Sequence, residues 1–158
     1  MNAIDPTRII VGVDGSDSSI DALRRGAQIA DALHAPLQVT TTWKLTPMLG
    51  AYVPPSEWSP ENDARKIAAA AIERVFPDAA PANISTVILQ GSAAALLIEE
   101  SRHASMLVLG SRGHGGFTAL LLGSVSAACA EHAHCPVLIM HKPQQAESAL
   151  PAVPIAAA

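Results

Sequence analysis

The sequence predicts an α/β fold, an open parallel sheet of five strands with helices on both faces. Three observations predict it. Apolar runs of strand length alternate four times with segments whose apolar residues recur at helical spacing, and a fifth run closes the series. The fourth run, Met106-Leu107-Val108-Leu109, opens into glycines at 110, 113, 115, 116 and 123 before a helix begins at Ser124. Hydrophobic residues make up 49% of the chain but aromatic ones only 3%, which suits alanine-rich helices packed closely on a sheet.

Each element has its own local signal. Residues 1–7 read as a loose arm, and Arg8 to Val13 is an almost continuous apolar run, as a central parallel strand requires. Asp14-Gly15-Ser16-Asp17-Ser18 is a turn rich in capping residues; with Ser18 as the cap, Asp21 takes the capping-box position. Ile20, Leu23, Ala27, Ala30 and Leu33 then share one helical face, which His34-Ala35-Pro36 ends. Leu37 to Trp43 is the second strand, and the proline-rich segment 44–60 is a loop or flap. From Glu61 onward, Ala64, Ile67, Ala68, Ala71, Ile72 and Val75 again keep one face, closed by Pro77 and Pro81. Asn83 to Leu89 is the third strand, Ala93 to His103 the third helix, Ser124 to His134 the fourth helix, and Pro136 to Met140 the fifth strand. Residues 1–143 form one domain, and the tail 144–158, rich in Gln, Pro and Ala, reads as disordered.

Composition excludes some functions. A net charge of −4 argues against a general binder of nucleic acid or of anionic membranes. Asp5 and Pro6 interrupt any signal-peptide core, and no apolar run reaches the ~20 residues of a membrane helix. The expected compartment is the cytoplasm. Cys129 and Cys135 stand six apart, about 240° around a helix axis, so they should point apart as free thiols.

The chemistry concentrates between Met106 and Ser126. A parallel strand that ends in a glycine-rich loop and enters a helix can hold a phosphate, because several N–H groups and the helix dipole converge on one anion. Two common phosphate loops do not fit. GxxxxGK[ST] needs a lysine, and none lies between Lys66 and Lys142. GxGxxG fails on the spacing of Gly110, Gly113 and Gly123, and it belongs after the first strand. The pattern present is G-x2-G-x9-G-[ST], at Gly110, Gly113, Gly123 and Ser124. Thirteen residues, Gly110 through Leu122, precede the helix, where a plain connection takes ~2–6.

At these positions the chain resembles the universal stress protein family, in its ATP-binding branch. The resemblance runs from Arg8 to about Lys142. Ile9-Ile10-Val11-Gly12-Val13-Asp14-Gly15-Ser16 is similar to the family's first strand and acidic turn. His132-Ala133-His134-Cys135-Pro136-Val137-Leu138-Ile139 is similar to its last helix running into its last strand. The resemblance implies strand order 3-2-1-4-5, a Rossmann-like fold of the adenine nucleotide alpha hydrolase type. Ligands of such sheets bind where the order reverses, here between strands one and four. That would join the Asp14 turn to the Gly110–Ser124 loop.

The implied ligand is ATP or AMP, with Mg²⁺ or Mn²⁺ carried by the nucleotide. Gly12 and Thr42, with Val13 between strand and turn, would line the adenine end; the family often has Pro where Gly12 stands. Asp14 would accept from the ribose or help hold the divalent ion, or else simply cap the first helix. Gly110 and Gly113 would face the ribose and α-phosphate by their backbone. Gly123, Ser124, Val125 and Ser126 would meet the outer phosphates through N–H and hydroxyl groups, and Arg112 would offset phosphate charge. His114 is a loop histidine with a weaker claim. His132 and His134 are two residues apart, about 200° around a helix, so they do not make a metal site.

No nucleophile, base and orienter stand together, and no acid lies within 110–126 to position a water. The reading is therefore an ATP-binding, nucleotide-dependent regulator rather than a fast enzyme. A slow ATPase or nucleotide hydrolase is one alternative, and a nucleotide-free module for an unknown protein partner is another. The resemblance also implies a homodimer through the last strand, residues 137–140, whose apolar edge needs covering.

Overall fold

Ile9, Ile10 and Val11 have no exposed surface at all, as befits a strand covered on both faces, and they form β1 (Ile9–Gly12) at the centre of the sheet. The chain is described by a computed structural model over residues 5–45, 58–114 and 121–141. After β1 come α1 (Asp17–Leu33), β2 (Leu37–Trp43), α2 (Pro60–Val75), β3 (Ile84–Gln90) and α3 (Ala93–Glu100). A 3-10 turn (Ser101–His103), β4 (Met106–Gly110), α4 (Ser124–His132) and β5 (Val137–Met140) complete the order. The strands are all parallel and lie in the order β3-β2-β1-β4-β5, the predicted 3-2-1-4-5.

Period-two alternation divides the core into two layers. Ile9, Val11 and Val13 turn to one face and pack with Leu23 of α1, Leu37 and Val39 of β2, and Ala68 and Ala71 of α2. Ile10 turns to the other face with Leu107 and Leu109 of β4, Leu97 of α3 and Cys129 of α4. Alanines at 64, 68 and 71 let α2 lie close to the sheet, as the composition predicts.

Several boundaries differ from the sequence reading, each for a local reason. Ser16, not Ser18, caps α1: its backbone is extended and its hydroxyl oxygen accepts from Ser19 N at 3.3 Å. Ser18 lies buried in the first turn, and Asp21 pairs with Arg24 at 2.8 Å instead of closing a capping box. Leu33, expected on the buried face, is 62% exposed, because α1 ends there and His34 turns left-handed at φ 52°. Ile67 is likewise exposed. The third helix tightens after Glu100, where the buried Ser101 hydroxyl donates to Ile98 O at 2.6 Å. Residues 5–7 are not a loose arm, since Thr7 donates twice to Asp5 and Ser105 Oγ donates to Thr7 O.

The cysteines need a second correction. α4 ends at His132, so the angle argument does not reach Cys135. Both cysteines are free, but they share the α3/α4 layer, Cys135 packing against the cluster that buries Cys129. His134 also leaves the helix, and its N–H donates to Ser101 Oγ at 2.8 Å. The flap core at 46–57, Gly115 and Gly116, and the tail 144–158 fall outside the described residues.

Candidate functional site

β1 and β4 are neighbours, yet their chains leave toward different elements, so a crevice opens beyond their carboxyl ends. A cleft of about 260 Å³ occupies it. Gly12, Val13 and Asp14 line it from β1 and the following turn, and Thr42 from β2. Gly110, Arg112 and Gly113 line it after β4, and Gly123, Ser124, Val125 and Ser126 at the start of α4. Every residue nominated from the sequence thus borders one cavity.

Asp14 ties the two halves of the rim together. Its Oδ1 accepts from Ser16 N at 3.0 Å and Ser16 Oγ at 2.6 Å, and its Oδ2 accepts from His114 N at 3.2 Å. Burial pushes the Asp14 pKa up, but hydrogen bonds from the Ser16 hydroxyl and N–H, from Ser19 and from His114 N more than cancel that, and the net shift is downward. The carboxylate is therefore ionised and largely committed to holding shape. The Ser18 hydroxyl adds a second tie, donating to Arg112 O.

Two glycines are required by close approach. A Cβ on Gly110 would lie 2.7 Å from the Ser18 carbonyl carbon, so a side chain there would force β4 away from α1. A Cβ on Gly113 would collide with Asp14 Oδ2. A side chain there would have to displace the carboxylate from its bonds to Ser16 and His114 N.

The opposite wall is a helix start. Gly123 is the N-cap of α4 with extended backbone and no side-chain cap bond, and among the described residues nothing accepts from the N–H groups of Ser124, Val125 and Ser126. Gly123 N donates to Ser111 O at 2.7 Å, folding the loop back to present that turn. The Ser124 side chain belongs to an exposed residue at the rim. Ser126 differs from expectation: it borders the cleft but is buried, and its hydroxyl donates to Ser111 O at 2.9 Å, with Gly123 O an alternative at 3.1 Å. Its O–H holds the loop rather than waiting for a ligand.

The other end of the cleft is apolar. Ala93 and Leu97 of α3 and Leu109 of β4 line it, and Thr40 and Ser19 add hydroxyl-bearing residues. These five were not nominated from the sequence. Thr40 had a signal, standing two residues before Thr42 on the same face of β2; Ala93 and Leu97 had none, because only packing brings α3 over the strand ends. The cleft thus pairs an apolar slot with a rim of N–H donors, Arg112 and one carboxylate. Such a surface suits a ligand with a flat apolar ring and an anionic group.

A divalent ion fits this site only in company. Among the described residues no three His, Cys, Asp or Glu side chains gather to hold a metal. Asp14 has both oxygens already accepting hydrogen bonds. Most ligands of a bound Mg²⁺ would come from phosphate and water, as is usual for that ion. No helix among the described residues is long and apolar enough to cross a membrane.

A family model described as the universal stress protein family matches residues 6–141. The universal stress protein Rv2624c of Mycobacterium tuberculosis is 36% identical over 140 residues, which is 84% of this chain but 47% of that protein. The universal stress protein MJ0531 of Methanocaldococcus jannaschii is 30% identical over 145 residues, 87% of this chain and 84% of that protein. The chain thus spans about half the length of the first-named relative. Among solved structures, a universal stress protein in complex with cAMP superposes with a TM-score of 0.62 at 29% identity, covering 85% of this chain and 97% of that one.

Proposed function

The chain belongs to the universal stress protein family, and from that premise we propose that it binds an adenine nucleotide, ATP or AMP, in the cleft between β1 and β4. The observation that carries this reading is the convergence of an apolar slot, the open first turn of α4 and Arg112 around one cavity. The base lies against Leu97 and Leu109 beside Gly12 and Thr42. Gly110 and Gly113 pass along the ribose and first phosphate. The first-turn N–H groups of Ser124, Val125 and Ser126 meet the outer phosphates, and any Mg²⁺ or Mn²⁺ arrives with the nucleotide near Asp14. The cAMP bound to a relative 29% identical supports the nucleotide class, though not the number of phosphates.

In this reading the protein is a cytoplasmic regulator that signals through its bound state to a protein partner. It forms a homodimer by pairing the edge strand β5 with that of a second copy. Phosphoryl transfer needs positioned groups around the reacting oxygens. The only carboxylate among the described lining residues, Asp14, is committed to the rim, so binding without rapid hydrolysis is the expected behaviour.

The test is a titration of nucleotide-stripped protein with ATP, ADP, AMP and cAMP, with and without Mg²⁺, alongside Gly113→Ala and Ser124→Ala. Gly113→Ala pushes on Asp14 and should weaken binding at least about tenfold, the equivalent of ~1.4 kcal/mol. Absence of binding to all four nucleotides would sink the proposal. Sedimentation as a monomer at micromolar concentration would remove the dimer from it.

A further inference from the structure

Of the described strands, β3 and β5 stand at the edges of the sheet, and β3 is the longer. Two contacts fix which way its backbone groups point. Leu37 N–H donates to Asn83 O at 2.9 Å, and Gly91 N–H donates to Trp43 O at 2.8 Å at the other end. Between them the parallel register runs unbroken, from Leu37 opposite Ile84 to Trp43 opposite Gln90. Residues 85, 87 and 89 therefore turn their N–H and C=O groups toward β2, while Thr86, Ile88 and Gln90 turn theirs outward. Among the described residues no strand lies beyond to take them.

Such an edge is commonly protected by a charge, a proline or a bulge. β3 reads Ile-Ser-Thr-Val-Ile-Leu-Gln and has none of the three. Beside it, between β3 and α2, runs a groove of about 450 Å³. Its floor is apolar, from Ile72 and Phe76 at the end of α2 and Ile88 of β3, all half-buried. Two exposed side chains of opposite charge border it, Arg65 and Glu73. They stand eight residues apart on α2, about 12 Å along its axis. Arg65 meets Glu61 at 2.5 Å through Nη2 and keeps further N–H groups to offer. Glu73 has no ion pair among the described residues.

Under a twofold axis each copy offers the other the same surface, reversed. A second β3 laid antiparallel against the first, with Val87 opposite Val87, also reverses α2 against its copy. Arg65 of each chain then comes to the side where Glu73 of the other stands. In that register Thr86 exchanges backbone bonds with Ile88 of the second copy, and Ile88 with its Thr86, so the middle of the open edge is satisfied. An arbitrary extended peptide would cover the floor without answering both charges in reverse order.

We propose that the β3 edge and the groove beside α2 form an interface for a second copy of this chain, paired antiparallel with Val87 at the twofold axis. β5 lies at the opposite edge and the nucleotide cleft between β1 and β4, so neither carries this inference.

The experiment treats the full chain carrying Val87→Cys with diamide, which takes up two hydrogens as two thiols join in a disulfide, and follows covalent dimers on a non-reducing gel. Directly opposite Cβ atoms of an antiparallel pair lie about 4.5–5.5 Å apart, so two cysteines there bridge with a small adjustment. Ser85→Cys, on the same face of β3 and more exposed, is the control. Its two copies would stand four residues out of step, about 14 Å along the strand. Val87→Cys should bridge at least about tenfold faster than Ser85→Cys. Adding Arg65→Glu or Glu73→Arg alone should slow bridging about 3- to 10-fold, the scale of two exposed ion pairs made repulsive, and the two together should restore it. Equal bridging of Val87→Cys and Ser85→Cys would overturn the second copy as occupant and assign the edge to another partner. A rate that ignores the charge changes, or a double variant no faster than the singles, would overturn it as well.

Discussion

Replacing Asp14 by Asn asks how much of the rim depends on one carboxylate. The substitution keeps the shape and leaves an oxygen for Ser16 N and Ser16 Oγ, at 3.0 and 2.6 Å in the native site. The other oxygen becomes an NH₂ that faces the N–H of His114, where 3.2 Å separates the native pair. A bond to a charged acceptor contributes about 1.5–3 kcal/mol, and here two donors would confront each other. Asp14 is exposed as a residue, so water recovers part of this, and a net loss of ~1–2 kcal/mol remains. The sign with pH follows from the direction of the shift. The folded pKa lies below the ordinary 3.8, so the carboxylate's contribution is complete above that value and disappears as pH falls through the lower folded pKa. Urea unfolding of wild type and Asp14→Asn should therefore differ by a constant amount from pH 5 to 8, and the gap should narrow below pH 3.8. A difference under about 0.5 kcal/mol at neutral pH would refute the clamp, since that is the scale of an ordinary surface change. So would a difference that does not shrink on acidification.

Two further outcomes follow from packing. Gly110→Ala places a methyl 2.7 Å from the Ser18 backbone and should destabilise by about 1–3 kcal/mol in the same unfolding assay, because backbone cannot step aside as a flexible side chain would. Burial, with Cys135 nearby, pushes the Cys129 thiol up to about 11. It should resist iodoacetamide at pH 7.5 in the native state and react once unfolded, as mass spectrometry would read. Stability should also decline as pH rises from about 9 to about 11, because the unfolded thiol ionises first.

Much of the fold was legible because its signals are local. β2 occupies Leu37–Trp43 as its β-branched run predicts, and the alanines of α2 face the sheet as their spacing predicts. The misreadings occur where neighbours compete with local pattern. The sequence reading puts the cap at Ser18; it falls to Ser16 because Ser18 is drawn inward to bond Arg112 O from the distant loop. Leu33 has the right spacing for burial but ends α1 exposed, and no described element covers it. Cys135 leaves the helix that its spacing from Cys129 assumed, because α4 ends at His132.

The sequence by itself determined the parallel sheet, its helices and the glycine-rich part of the cleft, but not the apolar residues that close its other side. Periodicity, glycine spacing and strand-end position are properties of the chain read one stretch at a time. Only the tertiary structure decided what each polar group is free to do. It commits the Ser126 hydroxyl to Ser111 and both Asp14 oxygens to the rim, and it buries Thr40 with its hydroxyl oxygen accepting from Gln38 Nε2. A hydrogen bond joining residues a hundred positions apart depends on where the strands end in space, and no local pattern encodes that distance.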